Sequence, residues 1–487
     1  MTAAIIMGIL ALMLITGTPI SIALGMTVMT FLVFFSSFDM TTVNIISQRL
    51  FTGLESFSIM AVPFFVLAGT FLTDGGVAKR IIAFAVSLVG WMPGGLAMAS
   101  IVACAFFATL SGSSPATVMA IGSLMLPAMV QQGYPKGFST GVIACSGSLG
   151  ILIPPSIVLI IYAVATSESA GKLFVAGIIP GFLLALLLMG VTFLYSKKHN
   201  FPTIPRASMS EVWRSFLDAF WGLMLVVIVM GGIYGGIFTP TEAAAVSAVY
   251  AFICATLIYR TLKFREIGKV LLHAANTSSM LLYIITNAIL FNFLLTSEQI
   301  PQQLSAWVVD MNLESWQFLI VVNLVLLLAG QFMEPSSIIL ILAPLFLPIA
   351  KTLGIDPIHL GIVMTINMEI GMITPPVGLN LYVASHLSKL GLTAVSKAAL
   401  PFVGVMLVYL ALVTYVPQIS MFLVDILYPP NPAALVAPTV FGASPRVVLR
   451  GARMRSSPRS RAARMRFFSS SASRKNFAAQ FGRARWM

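Results

Sequence analysis

The longest uncharged stretch of the chain, residues 81 to 135, contains no Asp, Glu, Lys or Arg. A membrane-spanning helix needs about 20 apolar residues, so this stretch must hold more than one pass. Over the whole chain 58% of the residues are hydrophobic and 9% are charged, whereas soluble domains carry about 25% charged residues. The predicted fold class is therefore an all-α polytopic membrane protein, with about ten to twelve spans at the usual span length.

The formal net charge of +13 is concentrated at one end of the chain. Residues 431–487 contain 11 Arg, one Lys and no acidic residue, and they show no apolar periodicity. This composition predicts that the Arg-rich segment 429–487 is disordered or a read-through extension. Contact of the polybasic segment with anionic lipid is the alternative.

Two short connections in the remaining chain, 196–214 and 259–269, are rich in Lys and Arg. By the positive-inside rule both are expected to face the cytoplasm. Two predicted spans, at 217–237 and 243–259, separate them, which is the even number that the rule requires. Between these spans the sequence TPTE, Thr239–Glu242, predicts a helix-capping box.

Two double prolines interrupt apolar runs in the same sequence context. GILIPPS at residue 150 and GMITPPV at residue 371 are 221 residues apart, and the same offset aligns Pro127 with Pro348. The two halves are therefore predicted to be repeats of one design. The predicted organisation is N-terminal scaffold segments at 1–49, divided at Gly17–Pro19; a first repeat at 50–195 with a hairpin at 101–130 and a broken helix at 141–165; cytoplasmic loops and two connecting spans at 196–274; a second repeat at 275–428 with a hairpin at 317–350 and a broken helix at 358–387; and the tail at 429–487.

The double prolines predict a binding site. Proline removes a backbone donor and breaks a helix, and the carbonyl groups that it frees have no water to bond inside a bilayer. Paired interruptions in two hydrophobic halves are typical of secondary transporters, in which freed carbonyls hold a cation and a helix N-terminus holds an anionic group. We call Gly150–Pro155 the first break and Gly371–Pro376 the second break.

A hydroxyl-rich segment precedes each break. LSGSSPATV contains Ser111–Pro115, here called the first tip, and QFMEPSSIIL contains Glu334–Ser337, the second tip. Each lies in an apolar run long enough to enter and leave the membrane from one side as a re-entrant hairpin. Serine in membrane helices often bonds only to its own helix, and proline often only kinks one. Four motifs in two matched pairs favour the functional interpretation.

Ionisable residues inside the membrane are functional candidates. Glu369, two residues before Gly371, is the strongest, and Glu334 follows; either could instead cap a helix or face a loop. Asp74 precedes Gly75 and is interpreted as a loop-capping residue.

Three further polar residues lie near the second break in the sequence. Asn367 and Asn380 could provide amide ligands, or could join helices to each other. His359 is interpreted as a loop residue.

Five segments carry a family resemblance: LSGSSPATVMAIGSLMLPAM, GILIPPSIVLIIYA, GIFTPTEAAAVSAVYA, LILAPLFLPIAKTLGIDPIHLGIV and GMITPPVGLNLYVAS. Over about residues 1–428 the chain resembles the large membrane subunit (DctM type) of the tripartite ATP-independent periplasmic (TRAP) transporters. The resemblance implies an inverted-repeat elevator fold of the ion transporter superfamily with two re-entrant hairpins. It also implies a multi-pass location in the bacterial inner membrane, with a small four-helix membrane subunit and a periplasmic substrate-binding protein as partners. Uptake of an organic acid, such as a C4-dicarboxylate or sialic acid, would be driven by sodium, with no other cofactor or metal.

The resemblance also implies two sodium sites, with the substrate carboxylate between the two tips. The first site would comprise Ser111, Gly112, Ser113, Ser114, Pro115, Gly150, Pro154 and Pro155. The second would comprise Glu334, Pro335, Ser336, Ser337, Gly371, Thr374, Pro375 and Pro376. The candidates for facing the substrate are Thr117, Ser156, Glu369 and Asn380.

Three alternatives were weighed against this interpretation. An intramembrane enzyme needs a paired nucleophile and base or a set of metal ligands, and the sequence shows no H-E-x-x-H and no evident Cys–His pairing. An ATP-driven permease would need an ATPase on another polypeptide, because the chain has no G-x-x-x-x-G-K-[ST]. A stand-alone sodium/dicarboxylate symporter of the same superfamily shares the broken-helix design and stays open.

Overall fold

The computed structural model describes residues 2–35, 44, 46–51, 55, 57–311 and 313–429. Every regular element in these ranges is helical, which confirms the predicted fold class. Residues 430–487 lie outside the described part of the chain, so the prediction for the tail stays a prediction.

The N-terminal helices and the first repeat follow the glycine and proline positions of the sequence. Gly17, with φ of +80°, lies between the first two helices, so the predicted division at Gly17–Pro19 is confirmed. The helices are α1 (Thr2–Ile15), α2 (Ile20–Phe35), α3 (Ala61–Asp74), α4 (Val77–Val89), α5 (Gly95–Ser111), α6 (Ser114–Gln131), α7 (Lys136–Ser146), α8 (Ile157–Thr166) and α9 (Ala170–Lys198).

Two helices connect the repeats, α10 (Met209–Tyr234) and α11 (Pro240–Ile253). At the start of α11 the Glu242 N–H donates to Thr239 Oγ1 at 3.3 Å, and the Thr239 N–H donates to Glu242 Oε2 at 2.8 Å. The predicted capping box is therefore confirmed. It fixes the point at which the chain re-enters the helical bundle.

The second repeat reproduces the element order of the first. Its helices are α12 (Ile267–Ser297), α13 (Ile300–Asp310), α14 (Ser315–Gly330), α15 (Pro335–Thr352), α16 (Pro357–Gly371), α17 (Leu379–Ser388) and α18 (Leu392–Tyr415), and α19 (Gln418–Leu427) follows. Helices α6 and α15 begin 221 residues apart, and so do α7 and α16.

The two repeats pack through their hairpins. The second arm of the first hairpin, α6, packs on α17, which follows the second break. The second arm of the second hairpin, α15, packs on α8, which follows the first break. Each hairpin is thus held against the broken helix of the other repeat, and the polar tips are brought toward one region of the bundle interior.

Eight helical segments of the described chain are long and apolar enough to cross a membrane, and six shorter apolar helices have 10–17 residues. The predicted number of ten to twelve spans counted apolar runs without dividing them. The structure divides two of them at the breaks and forms hairpin arms such as α5, which has 17 residues.

Candidate functional site

The first tip is held by its own hydroxyl groups. Helix α5 ends at Gly112, whose φ of +60° suits glycine because it has no Cβ. Ser111 Oγ lies 2.8 Å from Thr117 Oγ1, and Thr117 Oγ1 donates to Ser113 O at 2.9 Å. The Ser114 hydroxyl reaches further and donates to Gly147 O at 2.9 Å. These bonds fix the turn between α5 and α6 close to the first break.

The first break packs directly on this tip. The Ile157 N–H, which follows the double proline, donates to Gly112 O at 3.4 Å. A Cβ added at Gly150 would lie 2.7 Å from Ser113 O and 2.9 Å from Ser114 Cα. Main-chain carbonyl groups and hydroxyl groups therefore meet here without an intervening side chain.

The second tip carries a negative charge. Ser336 Oγ donates to Glu334 Oε1 at 2.7 Å, and Ser337 Oγ lies 3.5 Å from Glu334 Oε2. The carboxylate thus lies at the start of α15, where the N-terminal end of a helix favours negative charge.

The second break repeats the backbone contact of the first. The Val377 N–H donates to Gln331 O at 3.1 Å, and Gln331 caps α14 as Gly112 caps α5. A Cβ added at Gly371 would lie 2.6 Å from Gly330 Cα and 2.8 Å from Gly330 O. Both peptide bonds between paired prolines, Pro154–Pro155 and Pro375–Pro376, are cis.

The two tips line one cavity of about 430 Å³. Its wall combines the tips with residues beside both breaks and with one face each of α3 and α12. The lining residues from the tips and the neighbouring Ala116 are Ser111, Gly112, Ser113, Ser114, Pro115, Ala116, Glu334, Pro335 and Ser336. Ile151, Ile157, Met372 and Leu379 line it beside the breaks.

The charged groups of the cavity are mostly negative. Asp74 at the end of α3 and Glu334 at the second tip are its two acidic residues, and His273 on α12 is the one lining side chain that can become cationic. Lys and Arg do not occur among the described lining residues. An anion can enter such a cavity only if positive charge accompanies it or the acids are protonated, because like charges repel strongly away from water.

Eight of the residues assigned to the ion sites do not line the cavity: Gly150, Pro154, Pro155, Ser337, Gly371, Thr374, Pro375 and Pro376. The structure places them behind the tips or beside the cavity, where a cation could reach them only between a tip and its break.

The four candidates for facing the substrate differ from the prediction, because Thr117, Ser156, Glu369 and Asn380 are fully buried and do not line the cavity. Thr117 bonds within the first tip, Ser156 Oγ donates to Ile151 O at 2.5 Å, and Asn380 bonds Ser114. Neither carboxylate oxygen of Glu369 has a hydrogen-bond partner among the described atoms. Helix periodicity turns all four side chains away from the cavity.

Sequence reasoning missed the wall that faces the tips. Thr70, Thr73 and Asp74 on α3, and His273 and Thr277 on α12, line the cavity. Their spacing of three or four residues places each set on one helix face. A search for polar residues at this spacing would have found them. The turn predicted after Asp74 is present, with Gly76 at φ of +71°.

His359 is not a loop residue, which corrects the interpretation made from the sequence. It lies in α16 with 2% of its surface exposed. Its Nδ1 lies 2.7 Å from Ser420 Oγ and its Nε2 lies 3.2 Å from Thr414 O. Asn367 donates to Asn323 Oδ1 at 2.7 Å. Both residues therefore join helices of the second repeat.

Two hairpins, two broken helices and one shared polar cavity in an apolar helical bundle define a membrane transporter permease. The chain matches the family described as "Tripartite ATP-independent periplasmic transporter, DctM component" over residues 7–419. It therefore belongs to the DctM family, the large membrane subunits of TRAP transporters, which are transport proteins and not enzymes as a class.

Relatives and a solved structure agree with this assignment. The chain is 56% identical over 391 residues to "C4-dicarboxylate TRAP transporter large permease protein DctM" of Rhodobacter capsulatus, which covers 77% of this chain and 88% of the relative. It is 36% identical to "Sialic acid TRAP transporter large permease protein SiaM" of Vibrio cholerae, with 74% and 84% covered. The YdaH transporter of Alcanivorax borkumensis has the same fold, with a TM-score of 0.57 at 17% identity, and the match covers 80% of this chain and 91% of that one.

Proposed function

We propose that this chain takes up a C4-dicarboxylate, or a similar organic acid, together with sodium ions across the bacterial inner membrane. It would work with a small four-helix membrane subunit and a periplasmic binding protein that delivers the substrate. Membership of the TRAP family supports the tripartite arrangement. Relatives at 48–56% identity bear the name C4-dicarboxylate permease, and they favour that substrate over sialic acid.

The charge of the cavity is the observation that carries the proposal. A C4-dicarboxylate would meet Asp74 and Glu334 with no Lys or Arg among the described lining residues. Cations that enter with the substrate would supply the missing positive charge. This makes binding of anion and cation mutually dependent, which is the physical basis of symport.

The donor groups at the tips and breaks fit a hard cation such as sodium. They are hydroxyl, carboxylate and main-chain carbonyl oxygens, which suit hard cations, and they include no thiolate or imidazole. At each break the glycine contacts leave room only for backbone, so carbonyl groups lie where a desolvated cation needs them. We therefore assign the first sodium ion to the first tip and first break, and the second to the second tip and second break.

The side to which the cavity opens follows from its neighbours. Asp74 and His273, both exposed, lie on the cavity wall. The next residue after Asp74, Gly75, accepts a hydrogen bond from Thr261, and Arg80 lies 3.9 Å from the ring centroid of Tyr259. Tyr259 and Thr261 belong to the basic connection assigned to the cytoplasm, so we assign this conformation to substrate release.

Reconstituted transport tests the proposal. The chain and its small subunit are placed in proteoliposomes, and uptake of radiolabelled succinate is measured with the binding protein outside. We expect uptake with an inward sodium gradient and none when choline replaces sodium. Glu334→Gln should slow uptake at limiting sodium, and Glu242→Gln, a capping residue, should not. Equal uptake in sodium and choline would refute sodium coupling, and full uptake without the binding protein would favour a stand-alone symporter.

A further inference from the structure

Asn380 connects the two breaks. It is the second residue of α17, and its backbone N–H donates to Met372 O inside the second break at 3.0 Å. Its side chain has no exposed surface. The residue is therefore fixed to the second break by its main chain, and any movement of that segment moves its amide group.

The Asn380 side chain ends in the first repeat. Its Nδ2 donates to Ser114 Oγ at 2.7 Å and lies 3.4 Å from Ala144 O. Ser114 Oγ in turn donates to Gly147 O at 2.9 Å. The Asn380 amide oxygen is buried without a hydrogen-bond partner in the described structure, so the contact with the first repeat is made through the amide N–H group.

The hydrogen bonds determine what Ser114 can offer a cation. A serine hydroxyl has one hydrogen and two lone pairs. Ser114 gives its hydrogen to Gly147 O and one lone pair to Asn380, so one lone pair remains and its direction is fixed. A cation at the first tip needs an oxygen lone pair that points toward it, and Asn380 holds Ser114 in that orientation.

The connection exists in one direction only. At the offset of 221 residues the counterpart of Asn380 is Leu159, and the counterpart of Ser114 is Pro335. Neither has a side-chain hydrogen-bonding group, so the repeats cannot form the reciprocal contact. A pair of polar residues kept in one half of a repeated design is not a requirement of the fold, which the other half achieves without it.

We propose that Asn380 is a positioning residue that couples the two cation sites, an inference that rests on the proposed sodium coupling. Binding of a cation at the second break orders Met372 and with it Asn380, which then orients Ser114 for the first cation. Linkage makes the effect reciprocal, and couplings of this kind change affinity by about 5–150-fold. Sodium binding to the intact protein is therefore cooperative.

Sodium binding without transport tests this role. The purified full chain is titrated with NaCl at constant ionic strength, with choline chloride as the balancing salt, and its melting temperature and radioactive sodium binding are recorded. We expect a Hill coefficient well above 1 for the wild type and close to 1 for Asn380→Ala. Asn380→Ser provides a second variant that removes the same bond with a smaller loss of polarity. Asn287→Ala is the matched control, since Asn287 is also buried but its amide bonds within its own helix, to Tyr283 O.

The outcomes separate the two proposals. A Hill coefficient near 1 in both Asn380 variants, with Asn287→Ala as steep as the wild type, supports the coupling role. Steep binding in the wild type and in both Asn380 variants overturns the coupling role and leaves sodium coupling in place. Absence of any sodium response in the wild type overturns both.

Discussion

The first and second breaks share a backbone arrangement but differ in side chains. In both, the N–H that follows the double proline donates to the residue that caps the first hairpin arm, Gly112 or Gln331. Pro154 and Pro155 are buried, whereas Pro375 and Pro376 are exposed. The first tip offers neutral hydroxyls bonded to main chain, and the second tip offers the Glu334 carboxylate.

This difference shows what the repeat conserves. The glycines and prolines that set the course of the main chain occur in both halves, because backbone carbonyl groups can be freed only by breaking a helix. The side chains that add charge or join the halves occur in one half only. We therefore expect variants of the backbone to have similar effects in both halves, and variants of the tips to differ.

The largest effect is expected from glycines at the breaks. In Gly371→Ala the new methyl group would meet backbone atoms of Gly330 at 2.6–2.8 Å, and overpacking that main chain cannot relieve costs about 3 kcal/mol. Gly150→Ala should lose a similar amount. Thermal unfolding of the purified protein measures both. Gly404→Ala, with no atom within 4 Å of the added Cβ, is the control, and an equal loss there would contradict the explanation.

The next effect concerns the charge of the second tip. In Glu334→Gln the side chain keeps its size but loses the charge that would face a cation, and bonds to charged groups contribute about 1.5–3 kcal/mol. The sodium concentration for half-maximal stabilisation should rise about tenfold or more. A titration of melting temperature with sodium measures it. An unchanged midpoint would remove Glu334 from the second site.

A smaller effect is expected where a hydroxyl only supports the first tip. Thr117→Val removes the bonds to Ser111 Oγ and Ser113 O, with an expected loss of about 1 kcal/mol of stability. Because Thr117 does not line the cavity, the succinate concentration for half-maximal uptake should not change. Thr277→Val, on the cavity wall, should show the opposite pattern. If Thr117→Val alone weakened succinate binding, the placement of the cavity would be wrong.

The smallest effect is expected from a single neutral ligand of the first tip. Ser113→Ala removes one hydroxyl from the cavity wall and leaves the Ser113 carbonyl group in place. The sodium midpoint should rise about threefold, within the range for one neutral hydrogen-bonding group. The same sodium titration measures it. A shift as large as that of Glu334→Gln would mean that the two tips do not differ as described.

The sequence predicted the features that depend on local chemistry. Proline and glycine end helices wherever they occur, so the breaks and the Thr239–Glu242 capping box could be located without a structure. The direction of a side chain inside a bundle depends on packing between helices, so Glu369 and Asn380 were expected at the cavity and lie behind it. For the same reason Asp74 was interpreted as a loop cap, although it also lines the cavity.

Experimental density for the ions tests the central claim most directly. The structure of the purified transporter would be determined at saturating sodium and again in choline, at a resolution that shows bound cations. The account predicts two densities that appear only with sodium, one between the first tip and first break and one between the second tip and second break. Saturating sodium that leaves both positions empty, or that binds away from both breaks, would contradict it.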